Sequence, residues 1–208
     1  MRALITGASR GIGLALVAEG RDRGYEVLGA ARGGEGLRLD VTDPAMQAAV
    51  AAKVGALDLV VCNAGIFTDR GKTLETLTAD DMARSFAVNV TGAMLTVQAQ
   101  LANLARGGRV AIVASQMGST TKATGDSFAY RASKAAAINL GLTLSDALRD
   151  RGVAVGIYHP GWVRTDMGGD RAAVSAEASA RGLWDRFEAL DMDRTGCFET
   201  YDGTPHPL

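Results

Sequence analysis

Arg2-Ala-Leu-Ile-Thr6 runs straight into Gly7-Ala-Ser-Arg-Gly11-Ile-Gly13, after which Ile12, Leu16 and Val17 fall on one side of a helical pattern. A buried strand, a glycine-rich turn and a helix are the context a phosphate-binding loop requires. The glycines permit a tight turn and a close approach of backbone to ligand. The helix start then offers unpaired N–H groups and partial positive charge to a pyrophosphate. A second strand over 25–31 ends at Arg32, where a free ribose 2′-hydroxyl calls for an acid about 20 residues after the loop. After Arg32 no acid occurs until Glu35. Arginine there suits a 2′-phosphate, with Arg10 as a second partner, so NADP(H) is favoured and NAD(H) remains possible. The alternative is two solvated surface arginines.

Further along, 37–41 reads as a third strand. Thr42 or Asp43 caps a helix that has Pro44 in its first turn. A fourth strand at 57–61 leads into Cys62-Asn63-Ala64-Gly65. Thr78 and Asp81, a shortened capping box, open a long helix expected to reach about Leu104 and to end at Gly107-Gly108. A fifth strand at 109–114 delivers Ser115. Next comes a helix from about 128 to Asp150, then a sixth strand at 153–158 closed by Pro160-Gly161. Strands that are apolar runs, alternating with helices, argue an α/β doubly wound parallel sheet with a ligand beyond the carboxyl ends of its strands. We expect one domain over 1–208, with about seven strands.

Composition narrows the function classes. A net charge of −1 without a basic run favours neither nucleic acid nor an anionic membrane. Two cysteines make no disulfide framework, and no Cys/His cluster suggests a metal site. The first apolar run meets Gly7 too early for a signal peptide, and none approaches the ~18 residues of a membrane helix. The expectation is a cytoplasmic protein.

Tyr130 and Lys134 stand four apart on one helical face. A free tyrosine has a pKa near ~10, and a neighbouring cation favours its phenolate. Lowering that pKa by about 3 units needs roughly 4 kcal/mol of differential stabilisation. The pair alone is weak, because helices often carry this spacing.

Together, Thr6-Gly7-x-x-x-Gly11-x-Gly13, Asn63-Ala64-Gly65, Val88-Asn89-Val90, Ser115, Tyr130-Arg-Ala-Ser-Lys134 and Pro160-Gly161 with Thr165 resemble the short-chain dehydrogenase/reductase family, covering nearly the whole chain. The Tyr130–Lys134 wording, Pro160-Gly161-Trp162-Val163-Arg164-Thr165-Asp166-Met167 and the short end are similar to its C-factor-like and sniffer-like carbonyl reductase branch. The resemblance implies a Rossmann fold and NADPH-dependent reduction of a ketone or aldehyde. An NAD-dependent alcohol dehydrogenase, or a nucleotide-binding signalling protein with little turnover, are the alternatives. It implies that Tyr130 is general acid, that Lys134 lowers its pKa and binds the nicotinamide ribose, that Ser115 orients the substrate oxygen, and that Asn89 holds a relay water. Cofactor contacts would come from Gly7, Ser9, Arg10, Gly11, Ile12 and Gly13, from Arg32, Asp40 and Val41, and from Asn63, Ala64 and Gly65. Tyr130, Lys134, Pro160, Gly161, Val163 and Thr165 would complete them.

The Ser115–Tyr130 interval is slightly longer than the family's, leaving Ser119, Thr120 and Thr121 as rival hydroxyls. Cys62 reads as a buried small residue, and His159 as a pocket wall or spectator. Residues 166–194 are expected to form a short substrate lid with a helix at about 175–190, before a last strand within 195–203. Trp162, Met167 and Trp184 could wall the pocket or join the core. Family members pair through their two long helices, so a homodimer or homotetramer is implied.

Overall fold

A computed structural model describes all residues, Met1–Leu208. Seven strands form one parallel sheet: β1 (Arg2–Thr6), β2 (Glu26–Ala31), β3 (Leu37–Arg38), β4 (Leu57–Cys62), β5 (Leu104–Val113), β6 (Ala154–His159) and β7 (Phe198–Thr200). Their spatial order is β3-β2-β1-β4-β5-β6-β7, so the chain reverses direction between β1 and β4. That switch point is where an open parallel sheet accepts a ligand. Asn63 stitches it. Its Nδ2 donates to the carbonyls of Thr6 at 2.9 Å and Gly7 at 3.3 Å, and its N–H donates to Thr6 Oγ1 at 3.1 Å.

Both faces of the sheet are covered, which is why its central strands are uninterrupted apolar runs. On one face α2 (Pro44–Val54) and α4 (Gly92–Gln100) pack through Val50, Val54 and Val97 onto Leu4, Val60 and Ile112. On the other, α1 (Gly11–Asp22) and α6 (Ala176–Ala189) close over Ala3, Ile5 and Val61 with Leu16, Leu183, Trp184 and Phe187. Trp184 is fully buried and donates from Nε1 to the Leu16 carbonyl at 2.8 Å, so its polar edge is satisfied inside the core. It occupies space left open by Gly20, where a Cβ would overlap the indole. Trp184 is therefore core and not pocket wall. Within 166–194 the helix belongs to this core, and only the stretch before it runs beside the cleft.

Several boundaries differ from the expectations. The third strand keeps only Leu37–Arg38 of its five residues. Of the two expected caps for α2 it is Asp43 that serves, accepting from the N–H groups of Ala45 at 2.8 Å and Met46 at 3.1 Å. The helix expected to reach Leu104 stops at Gln100, and Leu104 already pairs with Leu57 in the sheet. Gly107-Gly108 does not end a helix; it lies in an irregular stretch of β5, where the register shifts between the partners of Leu57 and Leu59. A β-bulge takes up the extra residues, and Gly107 supplies the left-handed turn at φ 86°. The same helix is also broken internally. Its first part, α3 (Ala79–Phe86), has a complete capping box despite aspartate's short side chain: Thr78 Oγ1 accepts from the Asp81 N–H, and Asp81 accepts from the Thr78 N–H at 2.9 Å. A π-turn over Ala87–Thr91 then separates α3 from α4. The helix α5 spans Phe128–Ala147.

Candidate active site

Beyond the carboxyl ends of the strands lies a cleft of about 1030 Å³, the size of the largest ordinary ligand pockets. Its lining includes Gly7, Ser9, Arg10, Gly11, Ile12 and Gly13 from the first turn, and Arg32, Asp40 and Val41 beside it. Asn63, Ala64 and Gly65 follow β4, and Tyr130, Lys134, Pro160 and Thr165 complete the far end. Asn89, Ser115, Gly161 and Val163 do not line it. Val163 is buried, while Gly161 makes a left-handed turn at φ 87° packed against Tyr201.

Glycine is required by contact as well as by conformation in the first turn. A Cβ on Gly13 would overlap the Gly7 carbonyl oxygen and stand 2.6 Å from Asn63 Nδ2. The start of α1 is then left uncapped: Arg10 at the N-cap is extended, and its side chain makes no cap hydrogen bond. First-turn N–H groups lack intrahelical partners and carry the positive end of the helix dipole. An uncapped helix start against a glycine turn fits a pyrophosphate. Arg10 itself pairs with Asp166, Nη1 to Oδ2 at 2.9 Å, bridging the loop to the segment after β6. Both side chains are well exposed, so the pair is weak. Arg32 is exposed and joins no ion pair, and its charge helps hold Asp40 below the usual carboxylate range. The larger causes at Asp40 are the N–H and hydroxyl of Thr42, donating at 3.0 and 2.7 Å.

At the other end, Tyr130 is 8% exposed and stacks on Phe67 with ring centroids 4.3 Å apart. Lys134 is buried; its Nζ lies 5.7 Å from the Tyr130 ring centroid and donates to the Val113 carbonyl at 2.8 Å. Ser115 leaves β5 extended, and its Oγ accepts from the Met117 N–H at 3.1 Å, opening a 3-10 turn over Gln116–Gly118. Gly118 lets this loop lie on α5, because a Cβ there would be 2.6 Å from the Ala135 nitrogen. The Ser115 hydroxyl lies near enough to the Tyr130 phenol to oppose its upward shift, while its hydrogen bond is to the Met117 N–H. Ser119 and Thr121 hydrogen-bond each other at 2.8 Å, and Thr120 donates to the Leu208 carbonyl, so the rival hydroxyls are engaged elsewhere.

Burial pushes the Tyr130 phenol up to about 12, against the opposing pull of the Ser115 hydroxyl and the Arg70 charge. Burial also brings Lys134 down to about 8. In the protein alone, desolvation is the largest influence on the phenol, and the Ser115 hydroxyl and the Arg70 charge oppose it. Asn89 is buried, and its side chain is fully engaged. Its Nδ2 donates to the Ile66 carbonyl at 3.0 Å and to Ser133 Oγ at 2.9 Å, and its Oδ1 accepts from the Ile66 N–H at 2.8 Å. Ser133 in turn donates to the Tyr130 carbonyl at 2.8 Å. Asn89 thus braces loop against helix, with Gly65 lying between it and the Lys134 ammonium.

Phe67, Arg70 and Ser133 were not read as site residues. The first two sit in a loop without periodicity. Ser133 falls inside the quoted Tyr130–Lys134 stretch, where its spacing from Asn89 gives no signal. Cys62 is buried, its thiol pushed up to about 12, which removes it as a nucleophile at neutral pH. His159 is buried outside the lining, pushed down to about 4 mainly by burial. Trp162 is exposed and donates to the Gly168 carbonyl at 2.9 Å, while Met167 lines the cleft. No group of three or more His, Cys, Asp or Glu side chains is arranged to hold a metal ion. No helix is long and apolar enough to cross a membrane.

The profile of the short chain dehydrogenase family matches residues 1–175. C-signal of Myxococcus xanthus is 39% identical over 157 residues, covering 74% of this chain and 93% of that protein. An NADPH-bound carbonyl reductase from chicken fatty liver superposes with a TM-score of 0.91 at 28% identity, covering 100% of this chain and 98% of the other. The carbonyl reductase Sniffer of D. melanogaster gives 0.92 at 24% identity, covering 100% and 99%, a likeness of fold.

Proposed function

This chain belongs to the short chain dehydrogenase family, and we propose that it is an NADPH-dependent carbonyl reductase converting a ketone or aldehyde to its alcohol. The reading rests on one juxtaposition. An uncapped helix start and glycine turn lie at one part of a cleft whose far end holds Tyr130 and Lys134, with Ser115 near the phenol. NADPH would supply the hydride. Its pyrophosphate fits the turn from Gly7 to Gly13, its adenosine end the Arg32, Asp40 and Val41 wall, and its nicotinamide end Lys134, Pro160 and Thr165. Tyr130 then gives the carbonyl oxygen its proton, Ser115 orients that oxygen, and Lys134 carries positive charge close by. Asn89 keeps the Tyr130 helix and the Ile66 loop in register. Residues 1–208 act as one nucleotide-binding domain, with the stretch from 166 to α6 as cover, and copies associate through α3 with α4 and through α5.

NADPH oxidation across a panel of ketones and aldehydes tests the activity; no turnover of any of them would overturn it. The pH dependence follows from the phenol's state. A group raised to about 12 stays protonated across neutral pH and is ready to donate. Reduction is therefore expected to change little up to neutral pH and to fall as Lys134 loses its charge near pH 8, while oxidation of the alcohol is favoured as the phenolate appears at higher pH. A reduction rate that climbs with pH would contradict Tyr130 as the acid.

Arg32, exposed and in no ion pair, is the residue assigned to the cofactor's 2′-phosphate, with Arg10, whose exposed pair with Asp166 is weak, as a second partner. Arg32→Ala is expected to weaken NADPH about tenfold, roughly one charge-assisted hydrogen bond, and to leave NADH unchanged. Equal loss for both cofactors in fluorescence titrations would count against the 2′-phosphate assignment and favour an NAD-dependent dehydrogenase. The 39% identity to C-signal supports a second reading, a nucleotide-binding signalling protein with little turnover. The proton-handling set Ser115, Tyr130 and Lys134, which a pure binder does not need, favours the enzyme.

A further inference from the structure

The helix carrying Tyr130 starts in an unusual way. Ser127 at the N-cap of α5 is left-handed, φ 54° and ψ 44°, the one non-glycine residue with positive φ, and its hydroxyl makes no cap hydrogen bond. Two first-turn N–H groups that a cap would satisfy belong to Ala129 and to Tyr130 itself. Both are taken by Asp69, a residue 60 positions earlier in the loop after β4. Its Oδ2 accepts from Ala129 at 2.7 Å and its Oδ1 from Tyr130 at 3.2 Å.

Asp69 is 1% exposed and joins no ion pair. A buried carboxylate is strongly unfavourable unless hydrogen bonds and local positive potential offset it. Here both come from the start of α5, so the carboxylate and the helix hold each other. Two residues earlier, Phe67 stacks on the Tyr130 ring. The segment thus grips one tyrosine at its backbone and at its ring. It is itself anchored on both sides: Asn89 bonds the N–H and carbonyl of Ile66, and Thr68 Oγ1 donates to the Asp81 carbonyl at 3.0 Å.

We propose that Asp69 is a positioning residue for Tyr130, fixing the backbone from which the phenol is aimed at the substrate oxygen. It acts through Tyr130 and touches neither substrate nor cofactor. The inference rests on the carbonyl-reductase reading for its kinetic consequence, and on geometry alone for its structural one. Displacement of a catalytic group by as little as an ångström lowers turnover sharply.

The test compares Asp69→Ala and Asp69→Asn in the full chain, each also in a Tyr130→Phe background. Asp69→Ala is expected to lower kcat about tenfold to a hundredfold while NADPH affinity stays unchanged. Asp69→Asn, whose amide oxygen can still accept from one N–H, is expected to restore part of the loss. In the Tyr130→Phe background Asp69→Ala should add no further loss, because two residues acting as one unit are non-additive. An undiminished kcat, a parallel fall in NADPH affinity, or an equal further loss in the Tyr130→Phe background would each overturn the assignment. Amide hydrogen exchange separates this inference from the functional reading. Asp69→Ala should speed exchange at Ala129 and Tyr130 while leaving α1 unchanged, whether or not a carbonyl substrate is turned over. Unchanged protection at those two amides would overturn the inference by itself, whereas an inactive wild-type chain would sink only the reductase reading.

Discussion

Tyr130→Phe is expected to lower turnover of a carbonyl substrate by roughly a hundredfold to ten-thousandfold, the usual contribution of a positioned general acid. The substitution removes one oxygen and little else. The ring keeps its stack on Phe67 at 4.3 Å, and the helix start keeps its carboxylate cap, so the variant should fold and bind NADPH as before. What is lost is the hydroxyl assigned as proton donor. Retained NADPH affinity with a collapsed kcat identifies chemistry as the affected step. Equal rates in the two proteins would remove the catalytic assignment.

The second large effect is structural. Gly13→Ala puts a methyl group onto the Gly7 carbonyl oxygen and 2.8 Å from the Gly7 carbonyl carbon, with Asn63 Nδ2 at 2.6 Å on another side. Two of those atoms are backbone and cannot swing away. The third holds the ends of β1 and β4 together. Relief therefore requires α1 to move off the sheet, at about 1–3 kcal/mol for the overpacking. Further loss follows as the Asn63 bonds open, at about 1 kcal/mol each. A lowered thermal midpoint and at least a tenfold weaker NADPH complex are expected. Gly125→Ala, where nothing lies within 4 Å of the added Cβ and φ is ordinary, is the control and should be neutral in both measurements. A Gly13→Ala protein with wild-type NADPH affinity would show that the turn does not need its close approach.

What could be read in advance follows from which interactions are local. Ala3-Leu4-Ile5 is fully buried between two helical layers, and an unbroken apolar run states that plainly. The glycine turn announces itself because its conformations and contacts exclude side chains at fixed positions. Tyr130 and Lys134 share a helical face, so their proximity is encoded in spacing. By contrast, the start of β5 at Leu104 depends on a bulge that only the pairing with β4 demands. Trp184 looked equally suited to a pocket or a core, and Gly20, 164 positions away in α1, decides the matter by making room for it. Phe67 and Arg70 act on Tyr130 from a loop whose path no local pattern specifies. The upward shift of the phenol's pKa was also missed, because desolvation is a property of everything packed around a group and not of its helical neighbour.

The π-turn at Ala87–Thr91 has a consequence for how this site could arise or be lost. A π-turn amounts to one residue inserted into an α-helix, and each residue of an α-helix turns it by about 100°. Removing a single residue from this turn would restore a continuous helix from α3 into α4 and rotate the two faces against each other. Asn89 would leave its place between Ile66 and Ser133. In genetic terms the link between the Ile66 loop and the Tyr130 helix is one codon deep, so an in-frame deletion here would break it while leaving a well-formed Rossmann sheet behind.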